Sequence, residues 1–86
     1  MKPLQPGQLV RSLAGRDKGK HYLVFEEVEP NYVLLVDGKS RPLSRPKRKN
    51  VVHLQPYERR VDFDGVAGSG KLQDSMVVRS LKELTP

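Results

Sequence analysis

The chain has no cysteine and no tryptophan. Without cysteine there is neither a disulfide nor a thiolate zinc site. Aromatic residues are few, three tyrosines and two phenylalanines in 86 residues, so a surface of stacked aromatic platforms has little material to draw on. No apolar run approaches the roughly 20 residues of a membrane-spanning helix. The N-terminal stretch Met1-Lys2-Pro3-Leu4-Gln5-Pro6 lacks the apolar core of a signal peptide. The expectation is a soluble, cytoplasmic protein with no membrane partner. Small domains bury a smaller fraction of the surface their unfolded chains expose, roughly 60% near 60 residues, which leaves little interior for an enclosed active site.

Acidic residues are scarce in one part of the chain only. Residues 1–55 carry 11 Lys and Arg against 5 Asp and Glu, a net of +6, whereas residues 56–86 carry 5 of each and are neutral. A basic excess confined to one part of a small domain is the electrostatic footprint of a polyanion-binding surface.

What the basic part contains is a series of short strand candidates. Pro6-Gly7 marks a turn before residues 8 to 13, in which Leu9, Arg11 and Leu13 alternate with Val10, Ser12 and Ala14 and either face is a candidate core face. Gly15-Arg16-Asp17-Lys18-Gly19-Lys20 follows, a tight loop with glycines four apart that presents Arg16, Lys18 and Lys20. Asp17→Ala is expected to be mild or even favourable for binding a polyanion. Residues 22 to 28 are β-rich, and Glu29-Pro30-Asn31 breaks the run. Tyr32-Val33-Leu34-Leu35-Val36 suits a strand buried on both faces. Asp37-Gly38 is a hairpin signal, with Lys39 to Leu43 as its return strand, limited to an edge by Pro42. Residues 41 to 49 hold five cations and two prolines and read as an extended basic loop, and residues 50 to 54 resume strand character. Five short strands joined by tight turns predict a mainly β protein built on a small barrel.

Composition changes at Gln55-Pro56, which divides the chain into residues 1–55, the barrel, and 56–86, a linker and short helix. Val61-Asp62-Phe63 has brief strand character, and Gly65 to Gly70 reads as flexible linker. Asp74 or Ser75 is a suitable cap for a helix over about 74–84. Val77, Leu81 and Leu84 form one apolar stripe on it. A helix this short is unstable alone, so it docks on the barrel, binds a partner, or frays.

Residues 7 to 35, centred on the glycine loop, resemble a KOW motif, the RNA-binding signature of several ribosomal proteins and transcription factors. More narrowly, Tyr32-Val33-Leu34-Leu35-Val36-Asp37-Gly38 and Pro46-Lys47-Arg48-Lys49-Asn50-Val51-Val52-His53-Leu54 resemble the eukaryotic-type large-subunit ribosomal protein fourteen-e group. That group includes short bacterial relatives known as KOW-domain RNA-binding proteins. The resemblance spans residues 7 to 54 and implies an SH3-like barrel that binds structured ribosomal RNA, with ribosomal proteins as neighbours. Residues 55 to 86 carry no part of these motifs. A KOW module of the transcription machinery and an SH3-like protein-interaction module are the alternatives. The scarcity of aromatics weighs against the latter.

The candidate RNA-binding residues are Arg11, Gly15, Arg16, Lys18, Gly19, Lys20, Arg41, Arg45, Lys47, Arg48, Lys49, Asn50 and His53. The arginines suit bidentate contacts to phosphate and the lysines act as point charges. Cations on phosphates do not distinguish RNA from DNA. Asn50 and His53 suit either a base or 2′-hydroxyl contact or the satisfaction of the barrel's own backbone. Tyr22, Phe25 and Tyr32 read as core.

Nothing in the sequence suggests catalysis, and no enzyme activity, cofactor or metal is expected. Gly65-Val66-Ala67-Gly68-Ser69-Gly70-Lys71-Leu72 imitates a phosphate-binding loop, but Leu72 stands where a Mg²⁺-binding hydroxyl is needed. His21 and His53 have no companions at metal-ligand spacing.

Overall fold

A computed structural model describes residues 3–86. The strands are β1 (Gln8–Ser12), β2 (His21–Glu29), β3 (Tyr32–Val36), β4 (Lys47–Asn50) and β5 (Leu54–Arg60). Two helices follow, α1 (Phe63–Ala67) and α2 (Asp74–Leu84). The strands form one antiparallel sheet in the order β4-β3-β2-β1-β5. Register shifts between Val24 and Glu26 and between Glu27 and Glu29 break the β2–β3 ladder, and another lies between Gln8 and Val10. Such bulges bend and twist a strand, which lets a single sheet curl on itself. The 3₁₀ turn Val51–His53 carries the chain from edge strand β4 to edge strand β5. The fold is a small SH3-like barrel-type sheet with a short C-terminal helix. The ladder itself stays open between β4 and β5.

The three central strands bury both faces. Val10, Tyr22, Val24, Val33, Leu35 and Leu54 pack inside the curl, with Leu4 and Val51 against them. Leu9, Leu23 and Val36 point the other way and join Val77 of α2 in a second apolar cluster. The ambiguity in residues 8 to 13 has a simple cause: Val10 and Ser12 are buried on one face, while on the other Leu9 is buried beneath the tail and Arg11 and Leu13 are exposed.

The first three expected strands form, and the last two lie elsewhere. Residues 39 to 43 do not pair as a return strand, because the backbone folds around Asp37. Its Oδ1 accepts hydrogen bonds from the Lys39 and Arg41 amides at 2.9 and 2.8 Å, and its Oδ2 from Ser40 Oγ at 2.8 Å. The basic run is not a loop throughout: Lys47–Asn50 is β4, paired with β3. Val51 to His53 form the 3₁₀ turn, capped by Asn50 Oδ1, which accepts from the Val52 amide at 3.0 Å. β5 then runs through the composition change at 55 and 56, and residues 56 to 60 complete the sheet against β1. Pro56 is tolerated because β5 is an edge. Residues 61 to 63 add no strand.

The tail docks on the outer face of the sheet. Val77 is fully buried, and Leu72, Leu81, Leu84 and Phe63 pack against the same cluster. The first residues of the expected 65–70 linker instead end α1, whose N-cap Asp62 accepts from the Asp64 amide. The N-cap of α2 is Gln73, not Asp74 or Ser75. Asp74 has another role: its Oδ1 accepts from the Leu43 amide at 2.8 Å, pinning the helix start to the loop between β3 and β4. Gly38, with φ +78°, lies directly beneath that junction.

Candidate nucleic-acid interface

The loop between β1 and β2 closes on itself through hydrogen bonds from the Gly19 amide to the Ser12 carbonyl and from the Lys20 amide to the Asp17 carbonyl, both 2.8 Å. Gly15 and Gly19 sit at φ +85° and +90°, where a side chain is strained. A Cβ on Gly19 would meet nothing within 4 Å, so backbone shape alone selects glycine there.

Asp17 points inward, and the loop is built around it. Its Oδ1 accepts from Ser12 Oγ and Lys49 Nζ, each at 2.8 Å. Its Oδ2 accepts from the Tyr22 hydroxyl and Lys47 Nζ, also at 2.8 Å. Lys49 Nζ further donates to Ser12 Oγ at 2.7 Å and to the Ala14 carbonyl at 2.9 Å, so all three of its protons are used. Burial alone would raise the Asp17 pKa. The bonds from Lys47, Lys49, Ser12 and Tyr22 outweigh it and hold the carboxyl well below its usual range. Tyr22 is pushed the other way, by burial first and then by its bond to the Asp17 carboxylate. Asp17 is therefore more than one charge in the loop: it is the hub of a buried polar network.

Asp37 plays a similar part in the neighbouring loop. Lys20 Nζ lies 2.7 Å from its Oδ2. Burial raises its pKa, but the bonds from Lys20, the Lys39 and Arg41 amides and Ser40 prevail and set it low. The two anchors bring the 15–20 and 37–46 loops together at one end of the barrel.

This arrangement sorts the candidate cations. Lys47, Lys49 and Lys20 are committed to Asp17 and Asp37. Arg16, Lys18 and Arg45 are exposed and make no ion pair among the described residues, and Arg41 is half-buried and likewise unpaired. Arg48 sits apart on the outer face of β4, 2.8 Å from Glu29 and 3.8 Å from the centre of the Tyr32 ring. Tyr32 is thus half-buried under an arginine and not a core residue. Arg11 is exposed on β1 opposite His21. His21, depressed in pKa by burial and then by the Arg11 charge, lies 3.0 Å from the Tyr57 hydroxyl. His53 is exposed on the 3₁₀ turn, and its carbonyl accepts from the Leu13 amide at 2.8 Å.

Sequence reasoning missed Asp17, Ser12 and Tyr22 as a set, and Glu29 and Tyr32 as partners of Arg48. The one local signal was an acidic residue inside an otherwise basic glycine loop.

A small SH3-like barrel-type sheet, with its glycine loop clamped beside a basic strand, is the class these features define. No protein-family model matches the chain. It is similar to the large ribosomal subunit protein eL14 of Pyrobaculum calidifontis, 25% identical over 83 residues that cover 96% of this chain and 81% of that protein. For eL14 of Saccharolobus solfataricus the identity is 24% over 87 residues, covering 96% and 91%. For eL14 of Pyrobaculum neutrophilum it is 31% over 62 residues, covering 72% and 60%. The chain is therefore eL14-like. The similarity also runs beyond residues 7 to 54, since alignments covering 96% of the chain take in most of the tail that its motifs had left outside.

Proposed function

We propose that this chain is a ribosome-associated RNA-binding protein that contacts structured ribosomal RNA through the joined 15–20 and 37–46 loops. The observation that carries the reading is the inward turn of Asp17. With that carboxylate neutralised by Lys47 and Lys49, the outward face of the glycine loop carries only the positive charge of Arg16 and Lys18. Arg41 and Arg45 extend the same end of the barrel. The eL14 relatives, named as proteins of the large ribosomal subunit, support ribosomal RNA as the partner, the cytoplasmic ribosome as the location, and a binding role over a catalytic one. No helix among the described residues is long and apolar enough to cross a membrane.

The test is the salt dependence of binding to large-subunit ribosomal RNA. Four free cations on phosphates imply a log–log slope of roughly −3. Reversing Arg16, Lys18 and Arg45 to glutamate should flatten that slope and weaken every RNA together, while leaving the buried network intact. An affinity indifferent to salt would sink the mechanism.

A protein-docking role is the second reading. It is favoured by an apolar groove at the opposite end of the barrel, lined by Leu4, Pro30, Val51, Leu54 and Pro56. Co-sedimentation with ribosomal subunits without affinity for naked RNA would select it.

A further inference from the structure

The tail does not cover the whole outer face of the sheet. It packs over Leu9, Leu23 and Val36, but neither Tyr32 nor Leu34 joins the apolar cluster beneath it. At this open β3–β4 corner Arg48 lies opposite Leu34, with its Cζ 3.8 Å from the centre of the Tyr32 ring. Its Nη2 also donates to Glu29 Oε1 at 2.8 Å. The guanidinium is thus held over the ring and tied at Nη2 to the carboxylate. Half of the Arg48 side chain remains exposed.

We propose that Arg48, seated on Tyr32 and braced by Glu29, is a stacking platform for an unpaired RNA base. The inference rests on the RNA-binding reading above and adds a site of a different kind. Glu29 offsets the arginine charge, which makes Arg48 a poorer phosphate ligand than Arg16, Lys18 or Arg45. What the pair leaves available is a fixed, planar, delocalised surface. Guanidinium planes and aromatic rings are the groups on which splayed-out RNA bases stack. A nucleobase is itself neutral and planar and suits a locally neutral site. Arg45 precedes Arg48 by three residues on the same segment, about 10 Å of extended chain, so one RNA reaches both the cationic loops and the platform. The lack of aromatics noted in the sequence is met here by an arginine completing the stack.

The experiment compares two RNA hairpins of equal phosphate number, one fully paired and one with a single bulged adenine, by fluorescence anisotropy. The intact chain should prefer the bulged hairpin by roughly tenfold, the scale of one stacked base. Arg48→Lys keeps the charge and loses the plane, and Tyr32→Leu removes the ring beneath it. Each should abolish the preference while leaving affinity for the paired hairpin within about twofold. Should Tyr32→Leu fail to fold, Arg48→Lys carries the comparison alone. Placing 2-aminopurine at the bulge adds a direct readout, since stacking quenches its fluorescence and Arg48→Lys should restore it. Salt-dependent binding of both hairpins with no preference for the bulge overturns the platform and leaves the RNA-binding reading standing. So does a preference that survives both substitutions. Binding to neither hairpin nor to ribosomal RNA overturns both.

Discussion

Lys49 Nζ lies 2.8 Å from Asp17 Oδ1, and each side chain is only 9% exposed. The pair joins the third residue of β4 to the glycine loop across 32 positions of sequence. Lys49 opposes Val33 in the β3–β4 ladder, so it points into the mouth of the barrel. Burying two charges is costly unless they are paired and their remaining hydrogen-bonding capacity is filled. Ser12, Ala14, Tyr22 and Lys47 fill it. Two of the lysines assigned to phosphate contact by charge alone are thereby parts of the fold.

Asp17→Ala should destabilise the protein by about 3 kcal/mol, since it leaves the Lys49 ammonium buried without its counter-charge. The lower end of the usual range applies because the network sits at the mouth of the barrel. Urea unfolding of the wild type, Asp17→Ala, Lys49→Met and the double variant measures both the loss and the coupling. A loss under about 0.5 kcal/mol, typical of an ordinary surface substitution, would show that the network does not hold the loop.

Stability should fall in acid along a curve set by Asp17 and Asp37. Both carboxyls have folded pKa values depressed below the ordinary 3.8. Their contribution is complete above that value and is lost as pH drops below it, because the unfolded chain then binds more protons. The depressed pKa of His21 acts in the same direction at higher pH: its unfavourable protonation weakens the fold as pH falls below 6.5. Urea midpoints taken from neutral pH down to about pH 2 should trace this decline. Asp17→Asn, starting from a lower plateau, should show a shallower acid limb.

Gly38→Ala should loosen the tail. A Cβ there would lie 2.5 Å from the Asp74 carbonyl and 2.7 Å from Val78 Cγ2, at a φ of +78° that a side chain already strains. The expected cost is about 2 kcal/mol, from backbone strain together with overpacking. Hydrogen exchange should localise the loss of protection to α2 and the 37–46 loop. Unchanged protection in α2 would mean that the helix is held by its apolar stripe alone.

Deleting residues 65–86 should abolish cooperative folding. It uncovers Leu9, Leu23 and Val36, all fully buried beneath the tail. Full burial of one such side chain is worth about 1.5–3 kcal/mol, so the loss takes much of a small domain's stability. The truncated chain should bind hydrophobic dyes and melt without cooperativity. A sharp, dye-free transition would show that the barrel stands without its cover.

Much of the fold was legible in local pattern. The apolar run 32–36 announces a strand with apolar contacts on both faces, and the mixed alternation at 8–13 one whose two faces are each buried in part. Val77, Leu81 and Leu84 announce a helix with one buried face. The last two strands were harder to place. Lys47–Asn50 has no apolar side chain, and its strand character comes from lysines whose stems point inward while their charges meet Asp17. Residues 39–43 look like a return strand, but Asp37 takes the backbone amides that a ladder would have used.

The sequence by itself determined the basic excess, the glycines that permit the two loop conformations, the periodicities of three strands and α2, and the resemblance to a ribosomal protein group. Only the tertiary structure decided which cations are free. Lys18 and Lys49 are chemically identical in the sequence, yet one lies exposed in the loop and the other spends all its protons inside the barrel. The difference is physical. Formal charge adds up residue by residue, whereas its availability depends on burial and on partners within a few ångströms. Those partners were brought together by the curl of the sheet, from positions some thirty residues apart.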